Sequence, residues 1–186
     1  RSAKLQWLLD LLDSIKEKKE KVIIFAVQRK FQDMLADHLG CIYDIKVPVI
    51  NGDTKAVKAS RSNNTRLGII KEFSETNGFA VSVLSPIAAG AGLNIVAANH
   101  VIHLERHWNP SKENQATDRV YRIGQKLPVE VHYSILTDPD KSRNLVTFDQ
   151  GLDQLIDSKR KLMGSLGLIP DASGKDEEFI TVVIGP

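Results

Sequence analysis

The sequence has almost no cysteine, no long apolar run and no excess of one charge. Its single cysteine, Cys41, excludes an internal disulfide and fits a reducing compartment. No apolar stretch is long enough to cross a bilayer, and no segment has the pattern of a signal peptide. The 25 basic and 23 acidic side chains leave a formal net charge of +2. Any binding of nucleic acid therefore depends on where the charges lie, because the chain as a whole is not strongly basic.

Several catalytic and metal-binding motifs are also missing. The chain contains neither a GxxxxGK[ST] loop nor an acidic DExH motif at a strand end, so we do not expect it to bind Mg-ATP in the usual way by itself. The sequence shows no recognisable Ser/His/Asp pattern for nucleophilic catalysis. His103 and His107 are four residues apart, but they fall on a predicted strand end and loop without cysteine or HExxH context. We therefore expect no metal site.

The elements that are present alternate between strand and helix. With 186 residues and 42% hydrophobic content, the chain can form one α/β domain with a sizeable core and one helical appendage. Short β-branched runs without polar alternation are typical of buried parallel strands; they span residues 22–27, 47–50, 80–84, 101–104 and 129–135. Apolar residues at helical spacing predict helices; these span residues 5–15, 31–39, 65–73 and 145–166.

The connections between these elements predict how the sheet is wound. They are short, which favours right-handed crossovers and a doubly wound, mostly parallel sheet with helices on both faces. Pro48 indicates that its strand lies near an edge of the sheet. Gly40 is predicted to end the helix of residues 31–39 in a C-cap role.

The segment QATDRVYRIGQ places two arginines three residues apart. Ser111 is the predicted N-cap of a helix over Lys112–Ile123. In that helix Gln115, Arg119 and Arg122 stand at i, i+4 and i+7 and share one polar face.

Two interpretations fit this face. Guanidinium groups match phosphate oxygens, so the arginine pair can clamp a polyphosphate. Alternatively, the helix is simply solvated, and Asp118 pairs with Arg122 four residues on. Spacing alone favours the second interpretation, and the surrounding motifs shift the balance toward the first.

Four ordered motifs make the chain similar to the second RecA-like lobe of Swi/Snf-family superfamily-two ATPases. KVIIFAVQRK (Lys21–Lys30) resembles the fourth motif of the family, and INGDT (Ile50–Thr54) resembles the loop after the next strand. The fifth motif with its extension is resembled by VLSPIAAGAGLNIVAANHVIHLERHWNP (Val83–Pro110), and the sixth by QATDRVYRIGQ (Gln115–Gln125). The leader SAKLQWLLDLL resembles the helix that precedes this lobe. The resemblance therefore covers most of the chain. It depends on the order of all four motifs, because the Gly-Ala-Gly of residues 90–92 by itself would not be specific.

The chain departs from the family pattern at a few positions. Ala26 and Val27 stand where a serine or threonine is frequent, and Pro86 and Ile87 stand where a polar or basic residue is usual. The segment IHLERHWNP resembles bacterial and archaeal members more than eukaryotic ones. We expect a cytoplasmic protein of a bacterium or archaeon, or a nuclear one if the source is eukaryotic.

The resemblance implies half of an ATP-driven motor on double-stranded DNA. ATP would lie in a cleft against the first RecA-like lobe, which would carry the Mg²⁺ ligands and be the partner of this lobe. Arg119 and Arg122 would reach the β- and γ-phosphates, with Arg122 as the arginine finger, and Gln115 would couple the helix to nucleotide. Gly90 and Gly92 would allow close backbone approach to ribose or phosphate, or would simply serve a turn that needs small residues.

Contacts with DNA are expected from the loops that follow three successive strands. Gln28, Asn51, Gly52 and Ser85 fall at the same sheet edge, where amide, hydroxyl and backbone N–H groups suit phosphate contacts that do not read sequence. Trp108 is expected to pack beneath the arginine helix; the alternative is contact with nucleic acid.

The predicted organisation has four parts. Residues 1–20 form a leading helix, 21–138 the RecA-like lobe, 139–170 a C-terminal helical extension and 171–186 a flexible tail. The expected function is the C-terminal lobe of an ATP-dependent double-stranded DNA translocase or remodeller, inactive as an isolated fragment. A binding module that kept the fold without the motor, and an RNA helicase of the same superfamily, are the alternatives.

Overall fold

The computed structural model describes residues 2–54, 65–89, 93–143 and 145–166. Their strands form one five-stranded sheet in the order β2-β3-β1-β4-β5, and every neighbouring pair is parallel. The strands are β1 Lys21–Phe25, β2 Val49–Ile50, β3 Ala80–Leu84, β4 His100–His103 and β5 Glu130–Tyr133. The helices are α1 Ala3–Glu17, α2 Arg29–Tyr43, α3 Arg66–Glu75, α4 Pro86–Ala89, α5 Pro110–Thr117 and α6 Phe148–Leu166.

Helices cover both faces of the sheet, as predicted. On β1, Val22 and Ile24 pack with the apolar side chains of α1 and α2. Ile23 and Phe25 alternate with them and pack with α3, α4 and α5 on the opposite face. Because successive side chains of a strand point to opposite faces, a continuous apolar run is what a strand buried on both sides requires. The predicted doubly wound, parallel α/β fold is confirmed.

The edge position predicted for the strand after Pro48 is also confirmed. β2 contains only Val49 and Ile50, pairs with β3 alone and ends the sheet on that side. The carbonyl of Pro48 accepts a hydrogen bond from the Ser82 hydroxyl at 3.0 Å and from the Val83 N–H at 3.0 Å. Pro48 therefore joins the ladder through its carbonyl alone, because proline has no N–H to donate.

The predicted helix end at Gly40 is wrong. Helix α2 continues through Gly40 to Tyr43, and Asp44 is the C-cap, with φ 52 in the left-handed region. The extra turn buries Tyr43 against α1, where its hydroxyl donates to Asp13 Oδ1 at 2.9 Å. Burial and hydrogen bonding of this side chain outweigh the local tendency of glycine to end a helix.

The C-terminal extension is helical, as predicted, from Phe148 to Leu166. Leu155 and Ile156 are its most deeply buried apolar side chains. The division of the chain near residue 138 stays a prediction, and the tail of residues 171–186 lies outside the described residues. Among the described helices, none is both long and apolar enough to cross a bilayer.

Candidate functional site

The carboxyl ends of the parallel strands define one edge of the sheet, called here the strand-end edge. It consists of the loops that follow β1, β2, β3 and β4. Ligands of open α/β sheets bind outside the carboxyl ends of the strands. The four residues predicted to contact DNA all lie in these loops.

Gln28 lies at the end of the loop between β1 and α2. It is exposed and is the N-cap of α2, without a side-chain capping bond of its own. The carboxylate of Glu105, in the loop after β4, instead accepts hydrogen bonds from the Val27 N–H at 2.6 Å and the Gln28 N–H at 3.3 Å. A carboxylate at a helix N-terminus interacts favourably with the helix dipole. Glu105 thus fixes the Gln28 loop, a role that our sequence analysis missed.

Asn51 and Gly52 form a tight turn after β2. Asn51 is buried, and its side-chain oxygen accepts a hydrogen bond from the Asp53 N–H at 3.0 Å. A Cβ atom added to Gly52 would lie 2.8 Å from an Nη atom of Arg29. The Arg29 guanidinium pairs with Asp53 at 2.8 Å. Asn51 therefore shapes the turn, and glycine leaves room for the guanidinium.

Ser85 continues the sheet beyond β3. Its N–H donates to the carbonyl of Ile50 at 2.9 Å, which places Ser85 directly beside Asn51. Since Arg29 also lies over Gly52, the structure brings Gln28, Asn51, Gly52 and Ser85 to one edge. Their contact with DNA stays a prediction.

The predicted N-cap of the arginine helix is wrong. Asn109, and not Ser111, caps α5: its Oδ1 accepts from the N–H groups of Ser111 at 3.0 Å and Lys112 at 3.4 Å. Pro110 occupies the first helical turn, where its missing N–H needs no partner. The pair Asn109–Pro110 is the sequence signal that could have predicted the start of α5.

The predicted helix over Lys112–Ile123 ends early, at Thr117. The chain then continues in turns, and the carbonyl of Arg119 accepts a hydrogen bond from the Ile95 N–H at 2.9 Å instead of continuing the helical ladder. Val120 is fully buried in the core below. Gln115, Arg119 and Arg122 therefore do not share one face of a helix, because tertiary contacts override the helical period.

The arginine segment, residues 118–125, is nevertheless firmly anchored. Besides the Arg119–Ile95 bond, the side chain of Gln125 donates to the carbonyl of Ala98 at 2.5 Å. Gly124 has φ 106, a conformation that suits glycine. Arg122 is exposed and Arg119 is half-buried. Exposed guanidinium on an anchored segment fits phosphate oxygens and not a metal ion.

Gln115 is exposed on α5. Gly90 and Gly92 lie outside the described residues. The assignment of these three residues to nucleotide binding stays a prediction.

A buried ionic cluster joins the loop after β4 to α5 and α6. Arg106 donates to both carboxylate oxygens of Glu113, from Nε at 3.0 Å and from Nη2 at 2.8 Å, and also binds Asp153. Arg160 of α6 donates to the same carboxylate at 3.1 Å. Burial by itself would lower the pKa of Arg106, but the hydrogen bonds and charge of Glu113 raise it above its ordinary value. The cluster thus fixes α6 against the helix that leads into the arginine segment.

His103 is a core residue between two rings. It stacks on Phe25 and on Tyr133, with ring centroids 5.1 Å away in each case, and its Nε2 lies 2.8 Å from the Thr117 hydroxyl. Burial lowers the pKa of His103 to about 4, so the ring is neutral at pH 7. His107 instead stacks on Trp108 in the following loop.

Trp108 packs, but not beneath the arginine segment. Lys159 of α6 lies over its ring at 5.2 Å from the centroid and donates to its carbonyl at 3.3 Å. The indole is 37% exposed. The ring therefore contacts α6 and not the arginine helix beneath which it was predicted, and contact of its exposed part with nucleic acid stays untested.

Comparison with known proteins shows the family. The model of the helicase conserved C-terminal domain matches residues 3–124. The chain is 43% identical over 181 residues to Zorya protein ZorD of Escherichia coli O139:H28 (strain E24377A / ETEC), covering 96% of this chain and 16% of that protein. It is 33% identical over 164 residues to SWI/SNF-related matrix-associated actin-dependent regulator of chromatin subfamily A-like protein 1 of Xenopus tropicalis, covering 88% of this chain and 15% of that protein.

Solved structures give the same assignment. The C-terminal part of the Fun30 ATPase domain matches with a TM-score of 0.72 at 27% identity, covering 98% of this chain and 54% of that one. The Sulfolobus solfataricus SWI2/SNF2 ATPase core in complex with dsDNA matches with a TM-score of 0.67 at 29% identity, covering 97% of this chain and 34% of that one.

The chain therefore belongs to the helicase conserved C-terminal domain family. Within that class it is the C-terminal RecA-like lobe of a Swi/Snf-type superfamily-two helicase-like ATPase, as its motifs predicted. It spans only 16% and 15% of the two protein relatives named above.

Proposed function

We propose that this chain is the C-terminal lobe of an ATP-dependent double-stranded DNA translocase or remodeller. In a longer polypeptide it would close an ATP site against a first RecA-like lobe and contact the DNA backbone. The family assignment, the Swi/Snf-type motifs and the likeness to an ATPase core in complex with dsDNA support this proposal. A cytoplasmic location belongs to the same proposal.

The arginine segment is the observation that supports the ATP half of the proposal most strongly. Arg122 is exposed, whereas the segment around it is fixed by the buried Val120 and by the bond from Gln125 to Ala98. Catalysis by a guanidinium requires it to be held in advance where charge develops in the transition state. An exposed arginine on an anchored segment meets that requirement once a second lobe brings nucleotide to it.

ATP and Mg²⁺ would be shared unequally between the two lobes. The donors at the arginine segment are cationic guanidinium groups and a neutral amide, which suit phosphate oxygens. Mg²⁺ prefers oxygen ligands, so the first lobe would supply its carboxylate and hydroxyl ligands. ATP supplies the phosphoryl group whose transfer to water drives translocation; Arg119 and Arg122 would neutralise charge that develops on it.

The strand-end edge supports the DNA half of the proposal. Gln28 and Ser85 present an amide and a hydroxyl from loops held by Glu105 and by the Ile50 carbonyl. Such neutral donors bind phosphates without reading bases. A motor that moves along DNA needs contacts of this kind.

The test compares ATP hydrolysis by this chain alone with hydrolysis by a polypeptide that also contains the preceding lobe. We expect hydrolysis stimulated by duplex DNA only in the two-lobe protein, because this chain lacks the phosphate-cradling loop. DNA-stimulated hydrolysis by this chain alone would contradict the half-site proposal. A two-lobe protein that binds DNA but does not hydrolyse ATP would favour the binding module.

A further inference from the structure

Two histidines and a glutamate lie together where β4 and β5 begin, at the opposite end of the sheet from the strand-end edge. His100 is the first residue of β4 and is paired with Glu130, the first residue of β5. His132 is two residues after Glu130 and is paired with Ile102. Because side chains alternate along a strand, His100, Glu130 and His132 project from the same face of the sheet.

Their polar atoms form a compact triangle. Nδ1 of His100 lies 3.4 Å from Nε2 of His132, and Oε2 of Glu130 lies 3.7 Å from each of these nitrogens. Zn²⁺ binds nitrogen and oxygen at about 2.0–2.2 Å, so tetrahedral ligand atoms are separated by roughly 3.3–3.6 Å. The observed separations of 3.4 and 3.7 Å lie within and just above that range.

Glu20 holds His100 in the tautomer that can bind a metal ion. Its Oε2 lies 2.5 Å from Nε2 of His100. An ionised carboxylate only accepts hydrogen bonds, so Nε2 carries the proton and the lone pair remains on Nδ1, the atom that faces His132. A carboxylate on the far nitrogen is the usual partner of a metal-binding histidine. This contact is an observation independent of the triangle.

Burial decreases outward across the three side chains. His100 is 1% exposed, His132 22% and Glu130 52%. The innermost ligand is therefore fixed, while the outermost leaves a path for an ion and for a water molecule in a fourth position. Two imidazoles and one carboxylate form a donor set that suits Zn²⁺ better than Mg²⁺, which prefers oxygen ligands.

We propose that His100, Glu130 and His132 bind a divalent transition-metal ion, Zn²⁺ in the first place, and that Glu20 orients His100 for it. The bound ion joins the edge strand β5 to β4 and, through Glu20, to the turn between α1 and β1. This site is separate from the arginine segment and from the strand-end edge. It does not depend on the proposed motor function.

The opposing interpretation is a cluster held by hydrogen bonds alone. In that case one ring of the His100–His132 pair donates to the other, and the stacked rings, with centroids 5.7 Å apart, need no ion. The two interpretations differ in whether Zn²⁺ binds and in which side chains its binding requires.

The experiment is calorimetric titration of Zn²⁺ into the chain carrying Cys41→Ser, because Cys41 is an exposed thiol and thiolates bind zinc. We expect one ion per chain in this parent. Glu130→Gln and His132→Gln should each weaken binding by at least about tenfold, and Glu20→Gln by about 10–100-fold. His38→Gln removes an exposed histidine on α2 and is the matched control; it should leave the affinity unchanged.

A thermal measurement separates loss of the site from loss of the fold. Glu130 is half-exposed, so Glu130→Gln should keep the circular dichroism spectrum of the parent. At one fixed Zn²⁺ concentration, the rise in Tm should be smaller for Glu130→Gln than for the parent, since stabilisation of the folded state depends on how tightly the ion binds it. If the parent binds no Zn²⁺, or if Glu130→Gln and His132→Gln bind it as tightly as the parent, the residues form a hydrogen-bonded cluster and the proposal is wrong.

Discussion

Glu113, fully buried on α5, accepts two hydrogen bonds from the guanidinium of Arg106, at 3.0 and 2.8 Å. The Arg106 side chain is itself only 3% exposed. Charges so deeply buried are stable only when they are paired and hydrogen-bonded. The position of α5 relative to β4 therefore depends on this pair, and the arginine segment follows directly after α5.

Glu113→Ala should lower the free energy of unfolding by about 3–5 kcal/mol, because it leaves the charge of Arg106 buried with fewer partners. Urea unfolding followed by circular dichroism measures this. Asp157→Ala is the matched control: Asp157 is exposed on α6, lies 3.7 Å from Arg160, and should cost at most about 1 kcal/mol. Equal losses in the two variants would show that the cluster does not stabilise the fold as described.

Asn109→Ala should cost about 0.5–2 kcal/mol, since it removes the acceptor for two N–H groups at the start of α5. Ser111→Ala should be close to neutral, because its buried hydroxyl has no hydrogen-bond partner in the described part of the chain. The same unfolding experiment ranks the two variants. A larger loss of stability for Ser111→Ala than for Asn109→Ala would mean that Ser111, the residue predicted from the sequence, is the N-cap.

These residues show why the fold was predictable and the details of α5 were not. Buried β-branched runs and short connections determine the sheet and its helices, and both act locally. The start of α5 was misassigned because Ser and Asn are both good caps, and neighbouring Pro110 decides between them. Its end was misassigned because the Ile95 N–H donates a hydrogen bond to the Arg119 carbonyl. Helical periodicity in the sequence does not predict this contact.

The strand-end edge was predictable for a general reason. Loops after parallel strands meet at one edge, so the neighbourhood of Gln28, Asn51 and Ser85 follows from strand assignment alone. The contacts of Glu105 and Arg106 were missed. Glu105 bonds a loop 77 and 78 residues away in sequence, and Arg106 binds Asp153 of α6 besides the nearby Glu113. Charged side chains carry no periodic signal that predicts their burial.

Stability should fall between pH 6.5 and pH 4 because of His103. Burial lowers its folded-state pKa to about 4. The unfolded chain therefore binds a proton in this window that the folded chain excludes, and stability present above pH 6.5 is lost as the pH falls. The loss is roughly 1 kcal/mol per pH unit and about 3 kcal/mol in all.

Urea unfolding of wild type and His103→Gln across this range measures that contribution, because glutamine does not titrate and can still donate to Thr117. The free energy of unfolding of wild type should fall relative to that of His103→Gln as the pH is lowered. A difference that stays constant from pH 7 to pH 4.5 would mean that His103 titrates normally in the fold.

DNA binding by this chain should be weak, insensitive to sequence and steeply dependent on salt, because contacts with phosphates release counterions. Gln28→Ala should weaken binding to all duplexes alike without changing the salt slope, since the side chain is neutral. Gln154→Ala, at an exposed position on α6, is the matched control. Fluorescence titrations at low and high salt measure both. Sequence-selective binding that persists at high salt would contradict the backbone-contact proposal.

The most direct test of the central claim is the rate of DNA-stimulated ATP hydrolysis by the full-length protein carrying Arg122→Ala. An arginine finger is worth roughly 10³–10⁵ in rate, so hydrolysis should fall by about that factor while ATP and DNA binding persist. Arg122→Lys should restore little, because it keeps the charge and loses the planar fork. Arg143→Ala is the control, since Arg143 is exposed and pairs with Asp140 at 3.0 Å. Hydrolysis within a few fold of wild type in Arg122→Ala would contradict the account.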